Sequence, residues 1–524
     1  MAASAAAVRR FHTHAIPLDM EDIERDWDAP VDEAGIAAKA SIIVRVGMLD
    51  LGAGTGSFRV REMMHRIAYP LGVHVRADVN LTDIEATCTD GRDRITEVVD
   101  LPTTGVNTER IWLLEHFADW FSVNLGMDSI YHARPVISEE LVENLDSPEA
   151  RKSAMKPVRE AIAARARVRV HHPPRGEYAE HFDHVGRPSA DSRVTPVMTV
   201  RQVHERLDLI ERRRPLYAPW FSGLAGAVAC AAFVFLLGGG PYDMVGAFVG
   251  AGLGQWLRRR LFAHRLNQFF VTFVCVAVAA LACTGMLRLI GLADPIALQH
   301  DTAYIGAMLF VIPGFPLITG GLDIAKIDFP SGIQRLCYTL AIILMATLAG
   351  WMVASMVHLN PQGFEPLDLN PWVNAGLRLL AAFGGVWGFS VLFNSPQRMC
   401  FTAAVIGAIT DTLRLTLTDM GMAAEAAAFI GAMLAGLLAS AWRSSVRRGW
   451  LPPHLGYPRI CLTVPSIVIM VPGLYMYQAM FHLGQFDTQE ALDWAFRAFM
   501  VILCLPIGLA MARVLTDRSW RYDD

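Results

Sequence analysis

Charge is scarce in this sequence. Asp, Glu, Lys and Arg make up 18% of 524 residues, against 53% hydrophobic residues, and mean hydropathy is positive. That balance excludes an ordinary soluble enzyme. The formal net charge of -4 supplies no excess of cations for a nucleic acid. Cysteine is sparse too: the eight stand at 88, 230, 275, 283, 337, 400, 461 and 504, no two spaced CxxC and seven inside apolar runs. Neither a zinc site nor a disulfide framework is signalled, and no metal or cofactor is called for. No GxxxxGK[ST] occurs, so the chain lacks that motif for ATP hydrolysis. The first fifteen residues carry Arg9 and Arg10 without a continuous apolar core, and read as a tail rather than a cleaved secretory signal.

What charge there is crowds into the first 215 positions. From Trp220 onward the chain resolves into ten apolar stretches, each close to the ~20 residues a helix needs to cross a bilayer. They are expected at 220–237, 242–257, 267–290, 303–322, 335–357, 372–393, 399–416, 422–441, 460–481 and 491–513. Placing the N-terminus inside puts Arg212–Arg214, Arg258–Arg260, Lys326, Arg335, Arg398, Arg443, Arg447, Arg448, Arg459 and Arg513 on the cytoplasmic side. The opposite loops "HLNPQGFEPLDLNP" and "HLGQFDTQE" then hold no Lys or Arg.

A repeat runs through this half. "FVIPGFPLI" in the fourth stretch and "IMVPGLYMY" in the ninth both place Pro-Gly inside an apolar run, with Gly314 and Gly473 offset by 159. Five spans per copy is odd, so the second copy enters the membrane from the opposite side. That is an inverted-topology repeat. Pro313 and Pro472 remove an N–H, Gly314 and Gly473 tolerate non-helical torsions, and each pair is expected to break its helix. Broken ends at membrane depth suit ions and carboxylates. Ionisable residues inside spans are costly and mark pathways or partners: here Asp323, Asp411, Arg414 and Arg378, with Asn394, Asn267 and Gln268 beside them. Asp411 and Arg414 are spaced for an i, i+3 ion pair. Glu425 begins the eighth stretch, and Asp323, Lys326 and Asp328 are equally readable as hydrated end residues.

The charged N-terminal part opens with "MLDLGAGTGS", residues 48–57, which has the look of a nucleotide-binding glycine turn. Asp78 lies 22 residues past Gly56, as a ribose-binding acid would. The preceding segment from Ile36 to Leu51, however, is far too long for a strand and has helical spacing. After it, "VHVRADVNLTDIEATCTDGRDRITEVVDLP" alternates as three short antiparallel strands with an Asp90-Gly91 turn. Helices follow at 107–123 and 137–165, leaving no room for a doubly wound sheet. A methyltransferase is therefore disfavoured. "HHPPRGEYAEHFDH" offers His171, His172, His181 and His184, which read as a solvated loop sooner than a metal site, and Thr55, Asp78 and Asp83 are the polar groups of interest.

The stretches "LLGGGPYDMVGAFVGAGLG", "RLNQFF", "VIPGFPLITGGLDI" and "SGIQRLCYTLAI", followed by "FNSPQR" and "VPGLYMY", resemble the threonine/serine exporter family. The resemblance runs from about residue 35 to the end and departs at 132–196, a stretch rich in Arg, His and Pro. It implies a polytopic α-helical membrane protein: about ten transmembrane helices as two inverted five-helix repeats, after an N-terminal cytoplasmic α+β domain. The corresponding division is 1–34 tail, 35–215 domain with the 132–196 insert, 216–360 and 361–515 membrane units, and 516–524 cytoplasmic tail. It further implies a non-enzymatic secondary transporter of the inner membrane, with both termini cytoplasmic and room for a homo-oligomer. Its expected partners are L-threonine, L-serine, protons and the lipid bilayer. The expected binding or coupling residues are Asn267, Pro313, Gly314, Asp323, Asp411, Arg414, Pro472 and Gly473. A small-dicarboxylate exporter and a membrane-anchored enzyme are the alternatives.

Overall fold

In a computed structural model, residues 20–101, 105–125, 127, 198–361, 363–364 and 369–521 are described. Helix dominates, and among the described residues seven helices are long and apolar enough to cross a membrane, or nine when two bent pairs are each taken as one span. The expected helix at 137–165 and the histidines at 171–184 lie outside the described residues.

The N-terminal unit is built around one buried helix. Helix α1 (Met20–Arg25) leads to α2 (Ile36–Gly52) and α3 (Ser57–Ala68), then to strands β1 (His74–Val79), β2 (Asp83–Thr89) and β3 (Arg94–Asp100), and to α4 (Thr108–Asn124) and α5 (Val200–Glu211). The strands form the expected antiparallel meander, with His74 opposite Thr89 and Asp83 opposite Asp100. Ile84, Ala86 and Cys88 alternate inward along β2, and α2 is buried on nearly every side, Lys39, Arg45 and Asp50 included, because the sheet, α3, α4 and α5 cover it. Arg45 on that helix is held by Asp208 at 2.5 Å and Glu211 at 2.8 Å, both on α5. The stretch 1–34, expected as tail, is helical at Met20–Arg25, and Val31 is buried in the core. Its anchor is mixed: Pro30 bridges to Thr199, and Trp27 stacks on His204 with ring centroids 5.2 Å apart.

Twelve further helices, four of them forming two bent pairs, make up the apolar part. They are α6 (Pro219–Leu236), α7 (Pro241–Ala263), α8 (Gln268–Gly291), the bent pair α9 (Ala303–Met308) and α10 (Gly314–Ala325), and α11 (Phe329–Val357). After them come α12 (Pro371–Leu392), α13 (Gln397–Asp419), α14 (Ala424–Arg447), the bent pair α15 (Arg459–Val468) and α16 (Gly473–Gly484), and α17 (Thr488–Thr516). Proline at the first turn starts α6, α7 and α12, where its missing N–H costs nothing. The helix lengths recur in order: α7 and α13 have 23 residues, α8 and α14 have 24, α10 and α16 have 12, α11 and α17 have 29. Even the turn before the last helix repeats, with Ile327 at φ 64° and Phe486 at φ 62°, 159 residues apart.

Close approach of backbones joins the two sets. A methyl group built on Gly388 of α12 would lie 2.5 Å from the Ala225 carbonyl oxygen of α6 and 2.8 Å from Ala229 Cβ. Such small-residue seams are how helices associate in lipid, where no hydrophobic drive separates side chain from solvent.

Candidate functional site

The two helix breaks meet. Pro313 has φ −80°, ψ 64° and Pro472 has φ −80°, ψ 59°, and the bends are 62° and 48°. In each, the glycine N–H folds back on the carbonyl two residues earlier, Gly314 to Ile312 and Gly473 to Val471, both at 2.8 Å. These are three-residue γ-type turns. A methyl on Gly314 would overlap Val468, just before the second break, and one on Gly473 would lie 2.6 Å from Leu309 and 2.7 Å from Ile312, just before the first. Each break is thus seated on the other. At both places a side chain would have to displace residues of the opposite unit.

Of the expected ionisable residues, Arg378 pairs with Asp419 between α12 and α13, and the others stand in two places. Asp411 is fully buried and accepts from Arg414 Nε at 2.7 Å, the expected i, i+3 pair. Gly431 lies between Arg414 and Met470, so this pair stands beside the second break. Asp323 lies nine residues past Gly314, about 14 Å along α10 at the helical rise. It is also fully buried, and it pairs with Arg335 Nε of α11 at 3.1 Å and accepts from Ser331 Oγ at 3.4 Å. Asn267 is exposed and caps α8, accepting from Phe269 N–H at 2.9 Å and Phe270 N–H at 3.3 Å.

The cover over Asp323 is the glycine turn of the N-terminal unit. Gly54 needs its φ of 94°, Gly56 brings the chain onto the carboxylate, and Ser57 begins α3 with its N–H 3.2 Å from Asp323 Oδ2. Ser57 Oγ and Arg61 both reach Asp328. The turn does bind an anion at a helix N-terminus, as its sequence suggests, but the anion is a carboxylate of the same chain.

More contacts fasten the unit to the second membrane set. Thr108 N–H donates to the Phe393 carbonyl at 3.0 Å, and its hydroxyl meets Ser395 Oγ at 2.6 Å. Asn394, at φ 60°, donates to Asn107 Oδ1 at 3.1 Å and Glu109 Oε2 at 3.3 Å. His116 Nε2 lies 3.1 Å from the Gly456 carbonyl, and Cys461 Sγ lies 3.7 Å from that of Thr108. Arg59 pairs with Glu115 at 2.5 Å, and Glu115 also meets Arg66 at 3.2 Å and Arg443 at 3.8 Å. Burial pushes the Asp50 carboxyl up to about 6, against the pull of nearby Arg59. Thr55 is tied to the Asp50 carbonyl at 2.9 Å, Asp78 is exposed on β1, and Asp83 is held by Asn80 at 2.7 Å.

Three groups escaped the sequence reading. Tyr304 of α9 and Tyr477 of α16 share a buried hydroxyl–hydroxyl hydrogen bond across the two bent pairs. Arg258 sits inside a run of three arginines that reads as end-of-span charge, yet its Nη1 lies 3.4 Å from the Phe310 carbonyl at the first break.

The comparisons with known proteins agree with this architecture. Residues 41–131 and 190–357 match the family model described as "Putative threonine/serine exporter", and residues 378–515 match that described as "Threonine/Serine exporter, ThrE". An uncharacterized protein of Haemophilus influenzae is 28% identical over 187 residues, 32% of this chain and 60% of that protein. This chain therefore covers less than two thirds of the relative's length. No solved structure matches. With one model matching the N-terminal unit and first membrane set and the other matching the second, the chain belongs to the threonine/serine exporter family.

Proposed function

We propose that the protein is a secondary transporter that exports L-threonine and L-serine across the inner membrane, coupled to proton entry. The observation that carries this reading is the reciprocal seating of the two Pro-Gly breaks, since crossed discontinuous helices are where transporters of this architecture hold substrate. The matched helix lengths support ten spans in two inverted sets of five, with α7 as the glycine-rich tenth. The arginine distribution supports a cytoplasmic N-terminal domain.

In this reading the structure is a state shut at both ends. The cytoplasmic domain lies across the inner mouth through Ser57, Arg61 and Thr108, and the Tyr304–Tyr477 bond lies between the bent helices on the other side of the breaks. Transport opens one closure at a time. Asp323 is a coupling group because its partners, Arg335 and the α3 N-terminus, belong to different parts of the molecule and separate when the domain lifts. Asp411 serves the same end from the second break.

The test is counterflow of labelled L-threonine and L-serine in proteoliposomes, with and without a pH gradient and with succinate as competitor. Saturable, stereospecific, gradient-sensitive flux is expected. Succinate transport alone would replace the substrate with a dicarboxylate, and gradient-driven flux surviving in both Asp323→Asn and Asp411→Asn would refute the coupling.

A further inference from the structure

Helices α7 and α13 are equal in length and start at Pro241 and Gln397, an offset of 156 that places Arg258 opposite Arg414 and Gln255 opposite Asp411. The structure bears out the pairing by position. Arg414 borders Gly431, which also touches Met470, two residues before Pro472. Arg258 reaches the carbonyl of Phe310, three residues before Pro313, and the preceding turn is clamped there, since a methyl on Gly254 would lie 2.7 Å from Phe310 Cζ. Each unit therefore keeps one guanidinium beside its own break.

The two differ in what neutralises them. Arg414 is held by Asp411, whereas the equivalent place beside Arg258 is a glutamine, and no carboxylate lies within ion-pair distance of Arg258 among the described residues. Gln255 is 3% exposed. Its Nε2 donates to Ser222 Oγ at 3.1 Å, while its Oε1 and the Arg258 Nε are buried without a hydrogen-bond partner. A guanidinium at membrane depth with an idle donor is expensive unless an anion visits it. Its planar fork matches the two oxygens of a carboxylate. Arg258 is five residues from the end of α7, close enough for its long side chain to reach toward that end, yet Nη1 points to the break.

We propose that Arg258, with Gln255 beside it, is the carboxylate-binding site on the inner side of the crossed breaks, taking the α-carboxylate of the amino acid to be exported. This rests on the transport reading above. It makes the path asymmetric: an unpaired cation collects the carboxylate near the first break, and an internally neutral pair stands by the second.

The experiment uses the purified full-length protein and reads thermal stabilisation by L-threonine against L-threoninol, which lacks the carboxylate, with half-saturation in counterflow as second readout. Wild type is expected to respond to threonine and not to threoninol. Arg258→Gln should weaken threonine binding roughly 10- to 100-fold, the worth of one charge-assisted fork. Gln255→Glu keeps the arginine and the shape but supplies an internal carboxylate, copying the second unit, and should cause the same loss in a protein that folds. Arg259→Gln, one residue on and bonded to Ser222 Oγ at 3.1 Å, should leave threonine binding near wild type. Equal stabilisation of wild type by threonine and threoninol, or unchanged threonine binding in both Arg258→Gln and Gln255→Glu, would overturn the site. Stabilisation by succinate alone, lost in the same two variants, would overturn the substrate reading while upholding the carboxylate site.

Discussion

Replacing Gly56 by alanine tests whether the N-terminal unit is latched to the membrane part through Asp323. Gly56 has φ −69° and ψ 155°, torsions that alanine adopts freely, so the backbone gives no reason for harm. With no clash, the substitution would stabilise by roughly 0.4–1 kcal/mol through the unfolded chain. The added methyl would instead lie 2.5 Å from Asp323 Oδ1, where ordinary contact begins at 3.4 Å, so the turn must retreat by about 0.9 Å. That retreat takes the Ser57 N–H, now 3.2 Å from Asp323 Oδ2, beyond hydrogen-bonding range. A hydrogen bond to a charged group is worth about 1.5–3 kcal/mol, and the opened fraction should rise roughly 10- to 150-fold. Cys461 reports the opening, because it is buried under Thr108 at the same interface. In a Cys337→Ser, Cys504→Ser background, which removes the exposed and half-buried thiols, its maleimide labelling should quicken by that factor. A labelling rate within twofold of the parent, in folded protein, would refute the latch.

Two shorter predictions concern groups on either side of the breaks. Asp50 is fully buried, and its carboxyl is raised from 3.8 to about 6, so the folded protein keeps a proton the unfolded chain has lost. Stability should therefore be greatest below pH 4 in this respect and fall by about 3 kcal/mol as pH rises through 6; Asp50→Asn should flatten that fall in thermal melts, and an unaltered pH profile would contradict it. Tyr304→Phe or Tyr477→Phe alone strands the other hydroxyl and should cost about 1–3 kcal/mol, with the double variant no worse than either single. Strictly additive losses in denaturant melts would show that the two hydroxyls do not act as a pair.

Much of the architecture was legible because it follows from local periodicity. Ile42, Val46 and Leu49 fall at helical spacing and α2 is a helix; the alternation after His74 and the Asp90-Gly91 turn yield the meander. Pro313-Gly314 and Pro472-Gly473 break their helices for the covalent reasons visible in the residues. What could not be read was contact across distance. Ser57 and Asp323 are separated by 266 positions, and nothing local to either reveals that one covers the other. Asp323, whose place near a helix end left its exposure undecided, is buried with that turn over it and Arg335 and Ser331 beside it. Arg258 was hidden differently: three consecutive arginines follow the rule for end-of-span charge, and the rule says nothing of which one turns inward.

The mutual seating of the breaks carries a consequence for assembly. A set comprising α6 to α11 alone would leave Gly314 facing empty space where Val468 belongs, and a set comprising α12 to α17 alone would leave Gly473 without Leu309 and Ile312. Each bend has its own internal hydrogen bond but is lined by side chains of the other half, so the two halves are expected to complete their packing only against each other. The two halves pack as the partners of a heterodimer would, and carriage on one chain fixes their ratio at one to one.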